Sequence, residues 1–356
     1  MPDGLNRKQP GILVTTDAVG GVWRYALDLS AGCVARGIGT TLAVLGPAPS
    51  PAQREEAAQT GALLVETGLP LDWTAASRAD LEGASDALRL LAAGRSSVHL
   101  HAPALLGGGR WPAPVVAVAH SCVSTWWRAV RGGELPEDFR WRTEATAAGL
   151  RGAGAVIAPS NAHAASVRAV YGDVRVQVVH NGFAPRTPPR VGTRARAVLT
   201  AGRLWDEGKN AAALDRVVAA LDAPILAAGP TTGPHGGAVA LPHLRLLGTL
   251  DPAGMDAAFA GAAVFASMAL YEPFGLAVLE AAGAGMRLVL ADIPSFRELW
   301  GGAALFVPEE ADLLPTLRRA LDLPGDGGAQ ARASRYTLDA MVERTLAVHR
   351  ALGALV

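Results

Sequence analysis

The chain lacks most of the features that would mark it as secreted, membrane-spanning or nucleic-acid-binding. It has two cysteines, Cys33 and Cys122, far apart and in no metal-ligand or disulfide spacing. Buried free thiols in a reducing, cytoplasmic setting are therefore expected. It has no net charge, with 32 basic residues against 32 acidic ones. No global field is available to hold nucleic acid or an anionic surface, so any anion site must be built locally. No stretch reaches the roughly 18–20 apolar residues of a membrane span. The apolar run Ile12–Val14 behind Arg7 and Lys8 stops at Thr15-Thr16-Asp17, too short for a secretory leader. A soluble protein is expected, with peripheral membrane contact left open. No short repeat period recurs, which excludes a solenoid or propeller.

What the chain does have is enough length and apolar content for two cores: 356 residues, half of them apolar. Gly11–Thr16 reads as a buried strand, Val22–Arg36 as a helix and Thr40–Leu45 as a second strand. Strand, glycine turn, helix and strand make one βαβ unit and predict a parallel sheet. The alternation continues to an edge-like strand at Val176–Val179 and His180-Asn181-Gly182. Ala184–Gly192, with three prolines and no periodicity, reads as a linker. The pattern then restarts with a strand at Ala197–Ala201 and ends in an amphipathic helix from Thr337 to Leu352. The expected division is residues 1–185, 193–336 and a terminal helix, 337–356.

Tyr271–Gly285 is the most informative segment. Pro273 keeps Glu272 out of the helix that begins near Leu276. The first amides of that helix, around Phe274, Gly275 and Leu276, form a ready anion site, which Gly275 lets a ligand approach. Glu272 stands in front of it and Glu280 in the first turn or so behind. A sugar joined to a diphosphate needs such acceptors at its ends and donors between them. Two glutamates eight positions apart also occur by chance, and acidic residues are favoured early in helices.

Ala201–Asn210 places Arg203 and Lys209 in a loop after a strand, where two cations can reach one phosphate pair. They could equally be solvated surface charges; position at a strand's C-terminal end favours the ligand reading. Gly20-Gly21 occupies the equivalent turn of the first half, but Val22, Trp23 and Arg24 follow. The third glycine of the dinucleotide fingerprint is missing, and a plain tight turn remains the alternative. His120 ends a strand, where it can serve a sugar or simply the core. His99 and His101 share a strand face without a third ligand and read as non-metal. Trp126, Trp127 and Arg128, placed in a loop after His120, could stack on an acceptor or only pack.

Together these segments resemble the retaining, GT-B-fold glycosyltransferases called family 4. The resemblance rests on Gly20-Gly21, His120, His180-Asn181-Gly182, Gly202-Arg203-Leu204 with Lys209, and Leu247-Gly248-Thr249. Above all it rests on the run from Glu272-Pro273-Phe274-Gly275 to Glu280. It implies an α/β fold of two Rossmann-like domains facing a cleft, with the terminal helix crossing back onto the first. It implies transfer of a hexosyl-type sugar from a UDP- or GDP-linked donor, with retention and no metal or resident cofactor. Arg203 and Lys209 would then bind the diphosphate, and Glu272 and the Phe274–Leu276 amides the sugar and phosphate. Glu280 would hold the ribose and Gly248-Thr249 the base, while Gly20, Gly21 and His120 close over the sugar. His101 departs from many relatives and puts acceptor recognition in doubt. The acceptor, whether small molecule, glycan or lipid-linked, is not legible. A sugar-nucleotide epimerase or hydrolase, or an inactive sugar-nucleotide binder, stays as the alternative.

Overall fold

A computed structural model describes residues 11–184, 194–233, 236–325 and 327–355. Of the expected linker, Ala184–Gly192, residues 185–192 lie outside the described residues, as do residues 1–10.

Two wholly parallel sheets organise the chain. The first contains β1 (Gly11–Asp17), β2 (Gly39–Leu45), β3 (Leu63–Glu66), β4 (Ser97–Leu100), β5 (Val115–Val118), β6 (Ala155–Ala158) and β7 (Val176–Val178). Its strand order is β3-β2-β1-β4-β5-β6-β7. The second contains β8 (Ala195–Ala201), β9 (Ile225–Ala228), β10 (Arg245–Gly248), β11 (Ala262–Ser267), β12 (Arg287–Ala291) and β13 (Leu305–Val307), in the order β10-β9-β8-β11-β12-β13. The strand order reverses between β1 and β4 in one sheet and between β8 and β11 in the other. Open α/β sheets bind ligands at such reversals, beyond the carboxyl ends of the strands.

The helices of the first half are α1 (Gly21–Val34), α2 (Pro51–Gln59), α3 (Arg78–Leu91), α4 (Val123–Val130), α5 (Glu137–Gly152) and α6 (Asn161–Tyr171). Those of the second are α7 (Ala211–Val217), α8 (Pro252–Gly261), α9 (Leu276–Gly283), α10 (Pro294–Trp300), α11 (Leu313–Asp322) and α12 (Gly328–Ala333). The last, α13 (Leu338–Ala351), returns to the first sheet: Met341, Val342 and Leu346 pack with Trp23, Tyr25 and Leu29. α1 and α13 approach so closely at Gly32 that a Cβ there would lie 2.5 Å from Val342 Cγ2 and 2.9 Å from its Cγ1. The two crossings between halves run side by side, with Leu338 donating to the Phe183 carbonyl over 3.1 Å and Phe183 to that of Tyr336 over 3.2 Å.

Element bounds depart from the sequence expectation where local signals are weak. α7 ends at Val217, and the chain continues as a tighter turn over Val218–Ala220. α2 buries only Ala57, and β3 has no fully buried residue, so neither shows an apolar period. Trp126, Trp127 and Arg128 lie in α4, not in a loop. Cys122 and Thr125 start that helix reciprocally, the Thr125 amide donating to Sγ over 3.4 Å and the Cys122 amide to Oγ1 over 3.3 Å. Cys33 and Cys122 are both free thiols, the first buried and the second half-buried beside the Tyr171 hydroxyl at 3.0 Å.

Candidate active site

The second sheet contributes one wall of a cleft. Gly202 follows β8, and the next residue, Arg203, extends towards the first half. A Cβ on Gly20 would lie 3.3 Å from Arg203 Nη1. Gly20 has φ +79°, a left-handed conformation that costs glycine little, and any side chain there would also crowd the guanidinium. Gly21 faces the Leu276 side chain, whose Cδ1 would be 3.5 Å from a Cβ at that glycine. The glycine turn therefore covers both Arg203 and the start of α9.

Lys209 passes under Gly202, its Cε 3.6 Å from a Cβ at that position, and pairs with Glu272. Both side chains are mostly buried, 23% and 15% exposed, which makes the pair far less solvent-screened than a surface one. The Gly208 carbonyl accepts the amides of Leu270 at 2.9 Å and Tyr271 at 3.3 Å. That fastens the Arg203–Lys209 loop to the Glu272 loop. Ser295 Oγ donates to the Glu272 carbonyl over 2.5 Å. Gly275, at φ +89°, turns the chain into α9. The Phe274 side chain is buried in the core, so only its backbone is available to a ligand. Counting from Leu276, Glu280 opens the second turn of α9 rather than the first.

The strand ends β8, β9 and β10 lie side by side. Gly202 donates to the Ala228 carbonyl over 3.0 Å and Gly229 to that of Gly248 over 2.7 Å. A Cβ on Gly229 would overlap the Gly202 carbonyl, so this part of the wall is bare backbone. Gly248 and Thr249 sit exposed beside it. Gly229 is a wall residue that the sequence analysis does not single out.

The opposite wall is built mostly of neutral rings. His120 is half-buried at the end of β5, its ring centroid 4.7 Å from Tyr25 and 4.8 Å from His101. Neither ring nitrogen of His101, nor Nε2 of His120, has a partner among the described residues. Behind them, His99 Nδ1 meets His349 Nε2 at 3.0 Å, and His349 Nδ1 meets Ser97 Oγ at 2.5 Å. Burial holds these imidazoles neutral: His101 is lowered to about 3, His349 to about 4, and His99 and His120 well below the ordinary value. His163, lowered by burial to about 4, lies between His120 and the Glu272 loop, 6.1 Å from the Tyr271 ring. The exception is Asp17 at the end of β1, which burial raises to about 6 against the Val19 amide and the charge of Arg203.

Contacts between the halves hold the cleft together. Thr125 and Tyr271 share a hydrogen bond of 2.7 Å, and Ser160 donates to the Pro273 carbonyl over 2.7 Å. Glu298 accepts the Asn161 and Ala162 amides at 2.9 and 2.7 Å, a carboxylate at the start of α6. The Trp126 indole donates to Asp206 over 3.0 Å. Trp127 packs on Phe139, and Arg128 donates to the Ala169 carbonyl. No group of three or more His, Cys, Asp or Glu with metal-holding geometry occurs among the described residues.

Two family models match in succession, Glycosyltransferase Family 4 over residues 19–186 and Glycosyl transferases group 1 over 195–322. The chain belongs to the family 4 glycosyltransferases. The glycosyltransferase has the GT-B architecture, and its two sheets match solved structures along nearly their whole length. A sucrose-phosphate synthase from Thermosynechococcus elongatus is 16% identical with a TM-score of 0.75, over 97% of this chain and 99% of that one. HepE of Anabaena, solved with UDP and glucose, is 16% identical at TM-score 0.71, over 95% and 99%. WaaG, a glycosyltransferase of lipopolysaccharide biosynthesis, is 15% identical at TM-score 0.68, over 96% and 99%. No curated protein sequence matches. No helix among the described residues is long and apolar enough to cross a membrane.

Proposed function

We propose that this enzyme moves a hexosyl-type sugar from a UDP- or GDP-linked donor to an acceptor, with retention of anomeric configuration and without a metal ion. The observation that carries the reading is the meeting of Arg203, the Lys209–Glu272 pair, the Gly20-Gly21 turn and the start of α9 at one place. Breaking the anomeric bond puts negative charge on the departing diphosphate. Arg203, Lys209 and the first amides of α9 are fixed donors aimed at that charge, a role a divalent ion plays elsewhere. Glu272 accepts from the sugar's hydroxyls, Glu280 from the ribose, and the glycine backbone at 229 and 248 takes the base. His120, held neutral, donates to or accepts from a sugar hydroxyl without competing for the phosphate.

HepE, similar in fold, is described with UDP and glucose, which makes UDP-glucose the first donor to try, with GDP-mannose as the contrast. Transfer to a panel of sugar, polyol and lipid acceptors, followed by proton NMR of the product, tests the reading. The expected product keeps the donor's anomeric configuration, and its rate is unchanged by a chelator. An inverted product removes retention; loss of activity on chelation removes metal independence. Donor consumed at the same rate with no acceptor present would favour an epimerase or hydrolase.

A further inference from the structure

Between the catalytic cation and the opposite half of the enzyme stands a carboxylate that the sequence motifs did not single out. Asp206 is 8% exposed. Its Oδ2 accepts from Arg203 Nη2 over 2.9 Å, and its Oδ1 accepts from Trp126 Nε1 over 3.0 Å and from the Gly208 amide over 2.9 Å. The Trp126 indole belongs to α4, on the other side of the cleft. Arg203 presents Nη1 towards Gly20, and its Nε is buried without a partner among the described residues. Asp206 therefore grips one side of the guanidinium fork while the other faces the ligand space. Burial would raise the Asp206 carboxyl, but the charge of Arg203 and these hydrogen bonds outweigh it and hold the group below its ordinary range.

The approach of Trp126 is itself shaped. A Cβ on Gly208 would stand 2.7 Å from the indole Nε1. Gly208 carries no unusual backbone angle that would demand glycine, so the missing side chain serves the contact. Arg131 and Glu207 pair at 2.6 Å beside it, a second tie between α4 and the same loop.

We propose that Asp206 is a positioning residue that couples closure of the two halves to the aim of Arg203, with Trp126 as the part of the first half that engages it. With the halves apart, Asp206 loses the indole donor and the fork loses a fixed backing. With them together, the carboxylate is held at both oxygens and Arg203 is aimed at the leaving group. Closure would thus assemble the diphosphate site only when the sugar is covered. The inference rests on Arg203 binding the donor diphosphate, and it gives Trp126 a task other than acceptor stacking.

The test compares turnover of UDP-glucose and GDP-mannose by the wild type, Trp126→Phe, Gly208→Ala, Arg203→Ala and the Trp126→Phe/Arg203→Ala double variant. Trp126→Phe keeps a ring and removes the donor; Gly208→Ala pushes the intact indole away. Each is expected to lower kcat about tenfold, with the donor KM within about twofold, because an aimed cation matters most as charge develops. On the Arg203→Ala background, Trp126→Phe is expected to change kcat by less than about twofold, since there is no guanidinium left to aim. An undiminished tenfold effect on that background overturns the proposal and points to a direct acceptor contact by Trp126. So does a Gly208→Ala enzyme with wild-type kcat. A wild type that turns over no donor removes the transferase reading and the coupling together, whereas independent effects in an active enzyme remove the coupling alone.

Discussion

The two walls of the cleft solve different problems with different residues. The wall of the second sheet is charged, with Arg203, Lys209, Glu272 and Glu280 on loops and a helix start after β8 and β11. The wall of the first sheet is a glycine turn, Tyr25 and neutral imidazoles, with Asp17 as its half-buried carboxylate. Charge is concentrated where a diphosphate would sit, and the wall over the sugar is built mostly of neutral rings, with Asp17 as the exception. A neutral cover strengthens every electrostatic contact beneath it by excluding water. On the proposed reading, the grip on the diphosphate falls to one sheet and the cover over the sugar to the other.

The largest effect expected from this division is on the charged wall. Arg203→Ala is expected to lower kcat by about 100- to 1,000-fold, or about 3–4 kcal/mol, the usual worth of a fixed donor at a developing anion. His120→Ala is expected to cost less in the same transfer assay. Equal losses would erase the distinction between the walls.

Asp17 tests whether the first wall is as apolar as it looks. Its folded pKa of about 6 exceeds the ordinary carboxylate value. Stability is therefore lost as pH rises from about 4 through 6, and the cost is complete above that. Asp17→Asn keeps an acceptor for the Val19 amide and is expected to gain about 1–2 kcal/mol over wild type at pH 8 but little at pH 4. Urea unfolding at both pH values measures this, and an equal difference at the two would show that Asp17 titrates normally.

The smallest effect concerns the histidines behind the wall. A buried imidazole whose folded pKa is depressed to about 4, as in His349, contributes stability that is lost as pH falls below the unfolded value near 6.5. Replacing His349 with Gln is expected to make stability less sensitive to acid by about 1 kcal/mol between pH 6.5 and 5.5. Unchanged acid sensitivity would mean that the ring is protonated in place.

The same division decided what could be read from the sequence. The charged wall is assembled from two short segments, each a strand end followed by a turn, so its spacing is local and legible. Glu272, Pro273 and Gly275 reveal a helix mouth without any knowledge of the rest of the chain. The neutral wall is assembled by long-range contacts. Nothing local says that Tyr25, His101 and His120 share one space, or that His349 stands behind them from the far end of the chain. α4 has no strong start signal in the sequence, because its opening turn is capped by Cys122 and Thr125 rather than by a strong cap residue. Asp206 does not stand out in the sequence, because its neighbours Arg203 and Lys209 carry the more obvious charge and its partner Trp126 is 80 positions away.

The return of α13 to the first sheet bears on how the molecule is made. Ser97 and His349 are 252 residues apart in the chain yet share a buried hydrogen bond, and Met341, Val342 and Leu346 fill the face of α1. During synthesis the apolar side of that early helix must wait, uncovered, while the whole second half emerges from the ribosome. The half made first is thus completed last, and its exposed face is where a chaperone would be needed and where a premature stop near the end of the message would do most harm.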